Sequence, residues 1–72
     1  MDREQWDLAI ADANKAIGLD PNVAITYFNR GRAYKEQGKK AEAIADFEKF
    51  ITLTNNPRWI EMARKEIEEL SQ

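Results

Sequence analysis

The sequence predicts an all-α fold, a run of four antiparallel helices. Apolar residues recur at helical spacings of three and four along the whole 72-residue chain, and nowhere in the strict alternation of a half-buried strand. Three breakers divide that pattern: Asp20-Pro21-Asn22, Gly38 and Asn56-Pro57. Connections of about two to four residues then fold each helix back antiparallel on its neighbour.

The first helix is expected from about Glu4 to Leu19, with Leu8, Ala9, Ala13, Ala16 and Ile17 as its apolar members. Pro21 ends it, because proline cannot continue the hydrogen-bond ladder. The second is expected from Val23 to Gln37, with Asn22 as its N-cap and Gly38 closing it in a left-handed conformation. The third runs from Lys40 to Leu53 on a stripe of Ala43, Ile44, Phe47, Phe50 and Ile51. The fourth starts at Asn56-Pro57, a capping side chain followed by proline at the first helical position. Its stripe is Ile60, Ala63, Ile67 and Leu70.

An internal repeat says how these helices are arranged. Residues 9–22, AIADANKAIGLDPN, and residues 43–56, AIADFEKFITLTNN, are identical at eight of fourteen positions, at an offset of 34 residues. A fixed period of that length marks a stacked helical array rather than a closed four-helix bundle.

Within the array, residues 24–57 resemble one tetratricopeptide repeat. The family pattern reads here as Tyr27-x-x-Arg30-Gly31-x-x-Tyr34, then Ala43-x-x-x-Phe47, with Gly38 at the turn glycine. The resemblance implies a right-handed array: residues 4–20 as the second helix of a partial repeat, 23–56 as one full repeat, and 57–72 as a capping helix. Gly31 and Ala43 let two helices approach closely, and Tyr27, Tyr34 and Phe47 fill the space around that contact. Arg30 stands where the family has an aliphatic residue. It is expected to pair with Asp12 or Asp46, which share one repeat position, and Arg30→Leu is expected to be tolerated or stabilising. Beginning on a second helix, the chain is expected to continue upstream in its parent protein.

Composition excludes several function classes. The chain has neither Cys nor His, which removes the commonest metal ligands and the commonest general base. Its three glycines, Gly18, Gly31 and Gly38, form no phosphate loop. No enzyme activity, cofactor or metal is expected. A net charge of −2 argues against nucleic acid, and no apolar run approaches membrane-spanning length. A cytoplasmic location is expected. Charge is uneven: residues 22–40 carry five basic residues against one acidic, between two acidic flanks.

The resemblance implies a protein-binding groove lined by the second helix, with Ile25, Phe28, Asn29, Arg32, Lys35 and Glu36 facing it. That mixture suits an acidic peptide, or one ending in a free carboxylate. Asn29 also matches the asparagine of family members that clamp a C-terminal carboxylate, whereas Trp59 and Ala63 stand where that clamp has basic residues. The rival expectation is self-association. The first helix lacks the partner that would cover Trp6, Leu8, Ala9, Ala13 and Ala16, which suggests a homodimer or an exchange of helices between chains. A designed or excised scaffold with no native ligand is the third alternative.

Overall fold

The computed structural model describes residues 3–72. Four helices follow one another: α1 (Arg3–Leu19), α2 (Ala24–Glu36), α3 (Lys40–Leu53) and α4 (Pro57–Leu70). Each packs chiefly on its neighbours in sequence, α1 on α2, α2 on α3 and α3 on α4. A closed bundle would seat α1 against α4, so this pairing is that of an open array. The described chain is a slab with extents of 32 × 32 × 17 Å.

The turns follow from a few side chains. Gly38 sits at φ 76°, the left-handed region where a Cβ is costly. Its N–H donates to the Lys35 carbonyl (3.0 Å) and the Lys39 N–H donates to the Tyr34 carbonyl (2.9 Å), the double closure of a Schellman C-cap. At the start of α4 the Asn56 Oδ1 accepts from the Arg58 and Trp59 N–H groups at 3.0 and 3.4 Å. The start of α2 differs from expectation. Val23, not Asn22, is the N-cap residue and no side chain caps it. The Asn22 N–H instead donates to Asp20 Oδ1 (3.0 Å), so the Asp20-Pro21-Asn22 turn satisfies itself rather than the helix. Tyr27 fixes that turn from α2, its hydroxyl donating to the Pro21 carbonyl at 2.7 Å.

The core lies where α2, α3 and α4 meet. Ala43, Phe47 and Ala63 have no exposed surface, and Tyr27 and Phe50 are buried beside them. The helices α2 and α3 come together because their contact residue Gly31 is minimal. A Cβ at Gly31 would stand 3.1 Å from Phe47 Cε1 and 3.3 Å from Asp46 Cβ, so only glycine fits without displacing a ring. Phe28 packs edge-on to Phe47 with centroids 5.4 Å apart, and Phe50 stacks on Trp59 at 6.2 Å.

Arg30 chooses between its two expected partners. Its Nε and Nη2 donate to the two carboxylate oxygens of Asp46 at 2.8 and 2.7 Å. Its Nη1 reaches Asn14 Oδ1 on α1 at 2.8 Å, leaving Asp12 alone. The guanidinium lies between the rings of Tyr27 and Tyr34, 5.7 and 5.8 Å from their centroids. The hydrogen bond to Asp46 raises the Arg30 pKa above its ordinary value, with burial opposing. Asp46 is only 4% exposed, so this fork holds a charge that could not otherwise be buried.

Candidate binding cleft

Helix α2 divides the six expected groove residues between two faces. Ile25, Asn29, Arg32 and Glu36, spaced four, three and four, form one exposed stripe. Phe28 and Lys35 turn away from it. Phe28 packs against Phe47 and Phe50 on α3. Lys35 Nζ donates to Glu66 Oε2 on α4 at 2.6 Å. That bond raises the Lys35 pKa above its ordinary value, against the effect of burial, with help from the carboxylates of Glu66, Glu69 and Glu36. Both side chains are engaged within the array, Phe28 with α3 and Lys35 with α4.

Alongside the exposed stripe runs a cleft of about 490 Å³ between α1 and α2. Thr26, Asn29 and Arg32 form one wall, and Trp6, Ala9, Asp12, Ala13 and Ala16 form the other. The volume falls in the range that accommodates ligands. Asn29, Arg32 and Asp12 are exposed, and none of their side chains makes a hydrogen bond or ion pair within the described residues. A smaller cleft of about 340 Å³ beside it is lined by Arg3, Trp6, Glu36 and Gln37.

Four of the five residues expected at a self-association face, Trp6, Ala9, Ala13 and Ala16, therefore line the same cleft as Asn29 and Arg32. Ala13 is buried and Ala9 and Ala16 are half-buried, so the face is covered in part. The alanines are small enough for α2 to lie over part of it. Leu8 stands apart, 60% exposed and outside the cleft lining. Thr26 and Asp12 are wall residues that the sequence reading did not assign to a site. The signal for Asp12 was present: two aspartates share one repeat position and a single arginine can satisfy only one of them. On the α4 side, Trp59 stacks on Phe50 and Ala63 is fully buried, so neither supplies the cation of a carboxylate clamp.

Among the described residues, no cluster of acidic side chains is placed to hold a metal ion. No helix among them is long and apolar enough to cross a membrane.

The sequence matches the tetratricopeptide-repeat family over residues 1–68. It is 30% identical over 67 residues to serine/threonine-protein phosphatase T of Trypanosoma brucei brucei, covering 88% of this chain and 14% of that protein. It is 29% identical to mouse sperm-associated antigen 1, across 96% of this chain and 7% of that protein. A UPF0162 protein of Xylella fastidiosa is 28% identical, across 94% of this chain and 24% of that protein. The chain thus spans a small part of each relative's length. No solved structure matches it. Tetratricopeptide repeats mediate protein–protein interaction. The stacked helices, the repeat at 34-residue spacing and the match over nearly the whole chain place this protein in the tetratricopeptide-repeat family.

Proposed function

We propose that the chain is a protein-binding module that receives an acidic segment in the cleft between α1 and α2. One observation carries this reading: Asn29 and Arg32 share a 490 Å³ cleft and have no partner of their own in the described chain. Arg32 donates in a planar fork that suits a carboxylate, and the Asn29 amide adds a donor one turn away. Ile25, on the same stripe and 45% exposed, supplies apolar contact next to those polar groups. A peptide with a carboxylate, on a side chain or at its C-terminus, beside an apolar residue meets all three. The module has no chemistry of its own in this reading; it holds one protein segment against another.

The test is a random peptide library displayed with free C-termini and selected on the purified chain. Acidic peptides should be enriched, and Arg32→Glu should lower that enrichment by about tenfold or more while leaving the far-UV circular dichroism unchanged. Equal enrichment on the variant would remove Arg32 from the site. Lys35→Glu is unsuitable as a second probe, because it would set a carboxylate against Glu66 and break the ion pair that ties α2 to α4.

A further inference from the structure

Helices α2 and α4 flank α3 and face one another across it. Phe28 on α2 and Trp59 on α4 both lie against the ring of Phe50, at centroid distances of 5.0 and 6.2 Å. About two turns farther along both helices, Lys35 Nζ donates to Glu66 Oε2 at 2.6 Å. The two helices therefore run in the same direction and enclose a groove with Phe50 buried beneath it. Its floor and both walls come from α2, α3 and α4.

The walls match at the 34-residue offset. Ile25 and Phe28 on α2 correspond to Trp59 and Met62 on α4, so both walls begin apolar. Arg32 and Lys35 correspond to Glu66 and Glu69, so both walls end in charge, of opposite sign. Spacings of three, four and three keep each set on one side of its helix. The contact of Glu66 with Lys35 turns that side of α4 toward α2.

The apolar end is open. Ile25, Trp59 and Met62 are 45, 44 and 45% exposed, three of the six large apolar residues that stand exposed among the described ones. Apolar side chains gathered in this way and bordered by charge mark a place where another chain is seated. The charged end is short of cations. The one ammonium of Lys35 is acted on by the carboxylates of Glu66, Glu69 and Glu36. Both helices also finish there, turning the negative ends of their dipoles to the same place. Glu69 is exposed and makes no hydrogen bond or ion pair within the described residues. From the level of Trp59 and Met62 to that of Glu66 and Glu69 is about 10 Å of helix, which an extended chain crosses in about three residues.

We propose that the groove between α2 and α4 seats an extended segment of a partner protein, with a large apolar side chain packed between Ile25, Trp59 and Met62 and an arginine or lysine about three residues away paired to Glu69. This goes beyond the acidic segment assigned to the α1–α2 cleft. Occupant and charge both differ, and only Arg32 borders the two surfaces.

The probes are synthetic Gly/Ser peptides, capped at both ends, that carry the core Phe-Gly-Ser-Arg or its reverse. Counterparts carry Glu in place of Arg. Trp6 lines the cleft and Trp59 the groove, so the two indole signals report the two surfaces separately in a chemical-shift titration. The better of the two Arg peptides should shift Trp59 and the Met62 methyl and leave Trp6 in place. Met62→Ser and Glu69→Lys should each weaken it about tenfold. Both residues are exposed, and unchanged far-UV circular dichroism checks that each variant folds. Glu69→Lys should also let the Glu counterpart shift Trp59. The proposal is overturned if the Arg peptides leave Trp59 in place, if Glu69→Lys makes no difference, or if the Glu peptides shift Trp59 equally on the parent chain. A solution mass that doubles with concentration, and no longer does so in Met62→Ser, would overturn it as well by assigning the groove to a second copy of the chain. Loss of acidic peptides on Arg32→Glu bears on the cleft alone, so the two readings fail separately.

Discussion

Arg30 and Asp46 show how much a single side chain can be asked to hold. Both carboxylate oxygens of a nearly buried aspartate are matched by one guanidinium, which is itself held between two tyrosine rings. An ion pair expected from the sequence alone suggests that Arg30→Leu is tolerated or stabilising. The burial of Asp46 reverses that expectation, because leucine would leave its charge unpaired. Arg30→Leu should cost about 3 kcal/mol in urea denaturation, whereas Arg30→Leu with Asp46→Leu should lie near the parent or above it. A tolerated single substitution would mean that water reaches Asp46. The glycines make a paired test. Gly31→Ala pushes a methyl to 3.1 Å from a fully buried ring that has little room to retreat, and should destabilise by about 1–2 kcal/mol. Gly18 has nothing within 4 Å of its missing Cβ, and Gly18→Ala should stabilise by about 0.5–1 kcal/mol through the helix backbone. The same sign for both would remove the close contact as the reason for Gly31.

Among the helices, the sequence marked ends well where a side chain does the capping. Asn56-Pro57 and Gly38 act as their residue types dictate, since each mechanism is local. Asn22 did not act as expected, since Val23 holds the N-cap position and the turn before it is pinned by Tyr27 from six residues away. The tie between α2 and α4 was not legible at all. Lys35 and Glu66 stand 31 residues apart and meet only because both helices pack on α3. The folded pKa of Lys35 is raised, chiefly by its hydrogen bond to Glu66, so its stabilising contribution is complete below the ordinary lysine value of 10.5. It is lost as pH rises above 10.5 through the raised folded value. A double-mutant cycle with Lys35→Met and Glu66→Gln should give a coupling that is flat through neutral pH and vanishes at high pH. The pair is partly exposed, so the coupling should also shrink with added salt. A coupling that survives deprotonation would show that packing, not charge, joins the two helices.

The whole molecule has one main core, centred on Phe47, and a cleft where a second would be. A chain of 72 residues has about 4–10 kcal/mol of stability to lose. Phe47→Ala removes a ring with no exposed surface and should cost about 3–5 kcal/mol, most of that total. The expected result is one cooperative loss of helicity in all four helices, followed by circular dichroism at increasing temperature. A variant that keeps a sharp transition near that of the parent would show that the array is held by its individual helix pairs. The open face of α1 contributes less, since alanines lose little by meeting water.

By itself, the sequence determined the helices, their order and the array, because helical periodicity, proline, glycine and a fixed repeat are local or periodic signals that packing need not interpret. It also marked most residues of the cleft, all but Thr26 and Asp12, but as two separate sites on two helices. Only tertiary structure decided that Asn29 and Arg32 face Trp6, Ala9, Ala13 and Ala16 across one space, and that Phe28 and Lys35 belong to the packing. It also decided which aspartate Arg30 would take. The physical reason is the same in each case: a helix stripe gives the direction of a side chain, whereas its partner depends on how two helices cross. The contact of Gly31 with Phe47 sets part of that crossing, and the rest comes from the packing of α3 between α2 and α4.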